Sequence, residues 1–298
     1  MSPEHTKRNT LIGGGMVLLQ TLFWGIGNPL LKYALSVMPL YWCLTLRFLP
    51  TALLTYIIFR PDMKVLFEHK KLFRRTVGLS IVTAAAYILA NLGLKYTSAT
   101  TAGFLMSIAV LFTPFVAWLM YRKPIKAFSL IPIGIVTVGM FLISFDGSGI
   151  SLGWGEFFAA LSSVASAMQY AMSVETLEEV PPISLTVFQT GFVGLVTLTF
   201  ALCTENASAL TAAPMNSYLV IVYLVIFATL IAYILQNYAL QRISAVYASL
   251  MYCVEPVFTA AASYVVLHEV LTVPGWIGAI LILGSVVLAT WKSDERNG

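Results

Sequence analysis

Two ionisable side chains lie inside long apolar stretches of this 298-residue chain. Arg47 stands about eight residues into one stretch, and Glu255 stands near the middle of another. A charge at the centre of a membrane-spanning helix costs about 2.5 kcal/mol or more. Each residue could bind a substrate carboxylate or amine, or relay protons. Each could equally form a structural ion pair or anchor its helix to neighbouring carbonyls, and the sequence leaves these alternatives open.

Several polar and aromatic side chains share helical faces, at spacings of three or four residues. Trp24 and Asn28 form one pair, Tyr252 precedes Glu255 by three residues, and Gln169 continues a stripe of serines. Aromatic walls with one acid and a few amides suit an amphipathic zwitterion or an organic cation. A polyanion would require several cavity Lys or Arg residues. We therefore predict that these five residues bind substrate, with helix packing as the alternative for the serine stripe.

The composition places these residues in a membrane protein. The chain is 59% hydrophobic and 10% charged, against about 25% charged residues in soluble domains. The net charge of +4 could suggest a nucleic-acid partner, but the basic residues cluster in short loops, so no nucleic-acid partner is expected. We expect the lipid bilayer and a small-molecule substrate as partners, and a monomer or weak dimer.

Motifs for metal or enzyme chemistry are weak. The three cysteines lie in or beside apolar segments without a CxxC pair, so neither a disulfide framework nor a zinc site is expected. His268-Glu269 begins like a zinc-protease motif, but Thr272 stands where the second histidine would be. No Walker A sequence is present. We expect no metal, no cofactor and no enzymatic activity.

Ten apolar runs are each long enough to cross a bilayer, which takes about 20 residues. They lie near 11–34, 38–59, 75–94, 98–120, 126–145, 152–174, 183–203, 216–239, 244–267 and 273–291. Backbone groups in lipid must be satisfied within each segment, and period-two alternation is absent, so the runs are predicted to be helices. The first run is too long for a cleavable signal peptide, so none is expected. The fold class predicted is an all-α membrane protein with ten transmembrane helices.

Basic residues predict the orientation of these helices. Ten spans place both termini on one side, and that side carries 14 Lys and Arg residues against 2 on the other. Loops rich in Lys and Arg remain cytoplasmic. We predict a multi-pass membrane protein with both termini cytoplasmic. The 174–183 loop departs from the pattern, since it holds three glutamates and no base.

An internal repeat is the most informative feature. Residues 86–102 read AYILANLGLKYTSATTA and residues 232–248 read AYILQNYALQRISAVYA, with nine identities in seventeen positions. Ten helices divide into five and five, and an odd number per repeat turns the second copy upside down. We predict a first repeat over 1–145, an inverted second repeat over 152–291 and a cytoplasmic tail over 292–298.

The repeat pairs Tyr87 and Asn91 with Tyr233 and Asn237. Each pair has i, i+4 spacing and shares one helix face. Symmetry predicts the first pair towards the outer side and the second towards the inner side, with substrate between them. These residues are predicted to form gates, or alternatively interhelical hydrogen bonds of about 1 kcal/mol each.

Prolines in the fourth and ninth helices add a second prediction from the repeat. Pro256 follows Glu255 directly, and Pro114 maps to about one turn from it. Proline removes a backbone hydrogen bond and can kink a helix. Kinks at similar depth would suit a flexing gate, and they would also suit ordinary packing.

These motifs resemble the EamA family of the drug/metabolite transporter superfamily. In the second half the resemblance is carried by the turn at 237–245, by Glu255-Pro256 and by His268-Glu269; in the first half it is carried by 23–25, Arg47-Phe48 and 94–99. It covers nearly the whole chain. The family usually has an acid after the fourth helix, where this chain has Lys123, so a symmetric role for Glu269 is put in doubt.

The resemblance implies a ten-helix bundle in the bacterial plasma (inner) membrane that moves small organic solutes, often outward. Similar members export amino acids, including aromatic ones, and we predict that substrate class with alternating access. A drug or quaternary-amine exporter is the alternative within transport. A non-transporting lipid-facing protein, such as a scramblase or assembly subunit, is the alternative outside it.

Overall fold

The computed structural model describes residues 3–123, 130–144, 153–266 and 272–295. These residues form helices joined by short turns, and they contain no β-strand. An apolar chain in lipid has to satisfy each backbone N–H and C=O internally, and helices do so within one segment. The all-α class predicted from the sequence is confirmed.

Fourteen α-helices make up the described structure. In chain order they are α1 (Pro3–Val37), α2 (Leu40–Phe59), α3 (Lys70–Tyr96), α4 (Ala99–Ser107), α5 (Ala109–Tyr121), α6 (Leu130–Ser144), α7 (Trp154–Thr176), α8 (Pro182–Thr204), α9 (Ser208–Thr211), α10 (Met215–Val225), α11 (Ala232–Leu240), α12 (Ala245–Tyr252), α13 (Glu255–Val266) and α14 (Val273–Glu295). A 3₁₀ turn lies at Lys64–Leu66. A π-helical segment, here called the π-turn, lies at Ile226–Ile231 between α10 and α11.

Ten apolar helical segments correspond to the ten predicted runs. Eight are long and apolar enough to cross a membrane, and three of these eight are composite: α4 with α5, α10 with α11, and α12 with α13. The other two, Leu130–Leu142 and Val273–Leu288, are shorter apolar helices. Residues 126–129 of the fifth predicted run lie outside the described residues.

Two glycine contacts show that the halves are related and inverted. A Cβ at Gly155, near the start of α7, would lie 2.8 Å from the backbone nitrogen of Thr97, in the turn after α3. A Cβ at Gly13, near the start of α1, would lie 2.8 Å from Cγ2 of Ile243, in the turn after α11. Each half thus packs its first helix on the third-to-fourth turn of the other half. One contact lies at each end of the bundle, as two inverted five-helix repeats require.

The fourth and ninth spans are each interrupted at equivalent positions. α4 gives way to α5 at Ile108, and α12 gives way to α13 at Cys253 and Val254, 146 residues later. Ser98 and Ser244, also 146 residues apart, cap α4 and α12 by accepting a hydrogen bond from a backbone N–H three residues on. Kinks were predicted at Pro114 and Pro256, but the two spans are interrupted before these prolines, at Ile108 and at Cys253 and Val254. Pro256 stands second in α13, where the first-turn N–H has no helical acceptor and proline is tolerated.

Charged residues at one end of the bundle form a compact cluster, here called the basic-face cluster. Arg75 at the start of α3 donates to Glu179 at 2.9 Å, and Lys123 after α5 lies 3.0 Å from the Glu175 carboxylate. The hydrogen bond and charge of Glu175 raise the pKa of Lys123. The acidic 174–183 loop therefore pairs with two of the bases on the Lys- and Arg-rich face. Lys123 is accounted for here, while Glu269, its counterpart in the repeat, lies outside the described residues.

The opposite end of the bundle is joined by different polar contacts. Lys32 near the end of α1 donates to the carbonyl oxygen of Thr97, whose hydroxyl donates to Glu156 at the start of α7. Glu205 after α8 accepts the backbone N–H groups of Tyr41 and Trp42, each at 3.0 Å. That carboxylate caps α2, whose preceding Pro39 provides no side-chain cap. Acids at helix N-termini are stabilising, because they satisfy free N–H groups and oppose the helix dipole.

Candidate functional site

A cavity of about 100 Å³ lies between the two halves of the bundle. Its walls include the second half of α3, from Ala86 to Leu94, and the stretch of α1 from Trp24 to Leu31. Both stretches lie towards the end of the bundle opposite the basic-face cluster. The cavity therefore occupies the middle and one half of the membrane-spanning region, and the half nearer the basic face is packed.

Eight of the ten residues singled out in the sequence line this cavity. They are Trp24, Asn28, Arg47, Tyr87, Asn91, Gln169, Tyr252 and Glu255. The other two, Tyr233 and Asn237, are fully buried and do not line it. The structure thus brings together side chains from α1, α2, α3, α7, α12 and α13 that are far apart in the chain.

Glu255 is placed by the interruption of the ninth span, because it is the first residue of α13. Its Oε1 accepts a hydrogen bond from Nδ2 of Asn28 at 2.8 Å, and the same amide donates to Oγ1 of Thr259 at 3.2 Å. Among the described residues, Asn28 is the one side chain that donates a hydrogen bond to this carboxylate. A buried carboxylate with spare acceptor capacity can bind a substrate ammonium group.

Arg47, from α2, also lines the cavity, and its side chain is held on several sides. Nε donates to Oγ1 of Thr229 at 2.6 Å, and Nη2 donates to the carbonyl oxygen of Ala228 at 2.9 Å. Its guanidinium carbon lies 5.3 Å from the ring centre of Phe48 and 5.5 Å from that of Tyr87. Two ring contacts and two hydrogen bonds hold the guanidinium, and neither hydrogen bond uses Nη1.

The π-turn supplies the acceptors for Arg47, and no sequence pattern predicted this turn. The Ala228 carbonyl oxygen also accepts the indole N–H of Trp24 at 2.9 Å. Thr229 donates its hydroxyl proton to the carbonyl oxygen of Leu224, five residues back, at 2.7 Å. A π-helical turn displaces carbonyls from their usual i+4 partners, and such turns are frequent at functional sites. Without a glycine or proline in Ile226–Ile231, no residue type marked this position.

Three aromatic rings close the cavity towards the packed half. Tyr252 stacks on Trp24, with ring centres 5.7 Å apart, and on Tyr170, at 4.8 Å. The Tyr252 hydroxyl donates to Oε1 of Gln20 at 3.0 Å, and Nε2 of Gln20 donates to Oε1 of Gln236 at 2.9 Å. Gln20 and Gln236 were not singled out in the sequence, where Gln20 is an isolated amide in an apolar run and Gln236 directly precedes Asn237. We call Gln20, Gln236 and Tyr252 the inner plug.

The two tyrosines predicted as gate residues meet at the centre, while the two asparagines stand apart on two sides. The rings of Tyr87 and Tyr233 are 5.9 Å apart, and both contact Phe48. Asn91 lines the cavity, whereas Asn237 lies in the packed half and donates to Thr186 at 2.9 Å. The placement of the two asparagines follows the inverted symmetry, while the two tyrosines share one aromatic cluster. Their gating role stays a prediction.

Buried polar atoms without hydrogen-bond partners occur on both sides of the inner plug. At the cavity these are Nε2 of Gln169 and Oδ1 of Asn91. In the inner plug itself there is Nε2 of Gln236, and in the packed half below it there are Oδ1 of Asn237 and Oγ of Ser173. An unpaired buried polar atom costs about 1–3 kcal/mol. The first set is available to a ligand, and the second lies away from the cavity in the packed part of the bundle.

This difference in access predicts a difference in thiol labelling. In a protein whose three native cysteines are replaced by serine, we expect Ser107→Cys, at the cavity wall, to react with a membrane-impermeant maleimide. We expect Ser173→Cys, which is fully buried below the plug, to react at least about tenfold more slowly than Ser107→Cys, because local opening must precede reaction. Labelling rates followed by mass spectrometry would measure this. Equal rates at the two positions would show that the packed half is open.

A ten-helix membrane bundle of inverted repeats, with one polar cavity closed at one end, defines the protein as a transporter of the inverted-repeat type. The profile of the EamA-like transporter family matches residues 11–145 and 153–291. The chain belongs to the EamA-like transporter family, and the resemblance noted in the sequence is confirmed.

Similar proteins carry the same broad description. An uncharacterized transporter of Archaeoglobus fulgidus is 27% identical over 274 residues, covering 92% of this chain and 84% of the relative. The uncharacterized transporter YvbV of Bacillus subtilis is 27% identical, with 92% and 90% covered. The uncharacterized inner membrane transporter YicL of Salmonella typhimurium is 26% identical, with 62% of each chain covered.

A solved crystal structure shares the fold. It superposes with a TM-score of 0.75 at 16% sequence identity, covering 98% of this chain and 99% of the other. At this level of identity the likeness concerns the fold alone. It supports the arrangement of the helices and carries no information about the substrate.

Proposed function

We propose that this protein exports small zwitterionic metabolites, with amino acids, including aromatic ones, as the substrate class, by alternating access of its central cavity. The observation that carries the proposal is a cavity lined by one acid and one base from different helices, α13 and α2. Glu255 would bind the ammonium group and Arg47 the carboxylate. Trp24, Tyr170 and Tyr252 would contact the apolar side chain.

The boundaries and setting of the moving parts belong to the same proposal. We propose that the repeats 1–145 and 152–291 rock against each other, with 292–298 as a cytoplasmic tail. The Lys- and Arg-rich face would be cytoplasmic, in the plasma (inner) membrane of a bacterium. Tyr87, Asn91, Tyr233 and Asn237 would act as gate or helix-contact residues at the centre. The protein would work as a monomer or weak dimer, without a nucleic-acid partner.

A second candidate substrate class is a drug or quaternary amine. The observation that favours it is the stacked pair Trp24 and Tyr252 beside Glu255, because cations bind to aromatic faces near a carboxylate. Arg47 argues against it, since a fixed positive charge in the same cavity repels a cation.

The test is transport by purified protein in liposomes. We expect saturable uptake of labelled phenylalanine and leucine, inhibited by excess unlabelled amino acid, and weak uptake of a labelled quaternary amine. Uptake of the amine alone would replace the proposal with the second candidate. No uptake of either solute, beside a control carrier that works, would reject both substrate classes, and lipid flipping in the same liposomes would indicate a non-transporting lipid-facing protein. A thermal-shift screen with the same solutes gives an independent readout, because a ligand of the folded state raises its stability.

A further inference from the structure

The hydrogen bonds of Arg47 divide its guanidinium into a held side and a free side. Nε and one N–H of Nη2 are taken by Thr229 and by the Ala228 carbonyl. Among the described residues no acceptor lies on Nη1, and Arg47 is part of the cavity wall. The free side is therefore the one that a ligand meets.

Thr229 holds the guanidinium through a directed hydroxyl. Its proton is donated to the Leu224 carbonyl, so its lone pairs face the Nε–H of Arg47. The donor–acceptor separation of five residues exists only because the backbone is π-helical here. The hydroxyl thus couples the shape of the π-turn to the direction of the arginine.

The other repeat provides an internal comparison. Thr83 stands 146 residues before Thr229, in regular α-helix, and donates to the Leu79 carbonyl four residues back at 2.8 Å. Its partner is Nε2 of Gln189, at 3.2 Å, and Gln189 stands 142 residues after Arg47. The equivalent threonines of the two repeats therefore accept from different groups, a neutral amide at Thr83 and a guanidinium at Thr229. Only the second arrangement is accompanied by a π-turn at the cavity.

We propose that Thr229, set by the π-turn, is a positioning residue that aims Nη1 of Arg47 at a substrate carboxylate and makes the transporter prefer carboxylate-bearing solutes over the corresponding amines. This inference rests on the proposed function, because it assumes that Arg47 binds a carboxylate in the cavity. Thr229 itself lies behind the guanidinium and would not touch the substrate.

The variants follow from the geometry. Thr229→Val keeps the branched shape and removes the hydroxyl, Thr229→Ser keeps the hydroxyl, and Thr83→Val makes the matched change in the other repeat. Should Thr229→Val fail to fold, Thr229→Ala removes the same hydroxyl without the added methyl. Each purified variant would be compared in liposomes with phenylalanine and with phenethylamine, its decarboxylated counterpart.

We expect Thr229→Val to raise KM for phenylalanine about tenfold, equivalent to about 1.4 kcal/mol, with kcat nearly unchanged. The KM or the inhibition constant of phenethylamine should change by less than about twofold, because that ligand has no carboxylate for Arg47. Thr229→Ser should restore the wild-type ratio of the KM for phenylalanine to the KM for phenethylamine, and Thr83→Val should leave this ratio unchanged. An unchanged ratio in Thr229→Val, or an equal change in Thr83→Val, would overturn the proposal.

A second measurement does not depend on the substrate. In protein labelled with ¹⁵N-arginine, the Nε–H of Arg47 should exchange with solvent about tenfold faster in Thr229→Val than in wild type or Thr83→Val, since the acceptor is lost. Wild-type protein that moves no amino acid would reject the proposed function and the carboxylate preference together. The exchange rates would still show separately whether Thr229 holds Arg47, and equal rates in all variants would reject that as well.

Discussion

Glu255→Gln is expected to reduce transport about 100-fold or more while leaving expression and thermal stability near those of the wild type. Glutamine has the same shape, and its side-chain oxygen can still accept the hydrogen bond from Asn28. What is lost is the negative charge that would bind the substrate ammonium group, and removing one partner of a buried charge pair costs about 2–5 kcal/mol, because the other charge is left unpaired. Initial rates in liposomes, with detergent melting curves on the same preparations, measure both effects.

The matched control for this substitution is Glu178→Gln. Glu178 is exposed and lies outside the cavity, so its neutralisation should leave transport unchanged. Wild-type rates in Glu255→Gln would remove Glu255 from the mechanism and leave it a structural role beside Asn28. Loss of folded protein in that variant would instead indicate that the carboxylate supports the contact between α1 and α13.

Gly25→Ala is expected to destabilise the protein severely. A Cβ at Gly25 would lie 2.4 Å from Cβ of Phe258 and 3.0 Å from the backbone nitrogen of Thr259. Because the obstacles include backbone of α13, neither helix can yield without separating, and overpacking of this kind costs about 1–3 kcal/mol or more. A fall in melting temperature and in the monodisperse fraction on gel filtration would measure the effect.

Gly15→Ala on the same helix is the control, since nothing lies within 4 Å of a Cβ at that position. Alanine has the higher helix propensity by about 1 kcal/mol, so this variant should be neutral or slightly more stable. Equal stability of the two alanine variants would contradict the close contact between α1 and α13. The contact also determines how near Asn28 comes to Glu255, so a partly folded Gly25→Ala should transport poorly.

The sequence predicted much of this site because periodicity carries directional information. The i, i+4 spacing of Trp24 and Asn28 places both on one face of α1, and both line the cavity. The repeat predicted a related and inverted second half, which the contacts of Gly13 and Gly155 reflect. Arg47 was identified by its charge within an apolar run, without any knowledge of its partners.

The parts that could not be predicted are set by backbone geometry and helix tilt. The acceptor shared by Trp24 and Arg47 is a carbonyl of Ala228, and every residue has a carbonyl. Its availability depends on the π-turn, which has no glycine or proline to mark it. Tyr233 was expected on the opposite side from Tyr87, but the helices bring the two rings together around Phe48. Spacing along one helix gives a direction and does not give the angle at which two helices cross.

The unpartnered polar atoms in and below the inner plug affect the free-energy difference between the packed conformation and one open at that end. Each raises the free energy of the packed conformation by about 1–3 kcal/mol, and every 1.4 kcal/mol changes a population ratio tenfold. Water reaching Gln236, Asn237 and Ser173 in a conformation open at that end would remove this cost. A fully apolar plug would make the packed conformation a deep minimum. Under the alternating access proposed above, leaving these groups unsatisfied would keep the two conformations close in free energy, so that thermal motion would populate both.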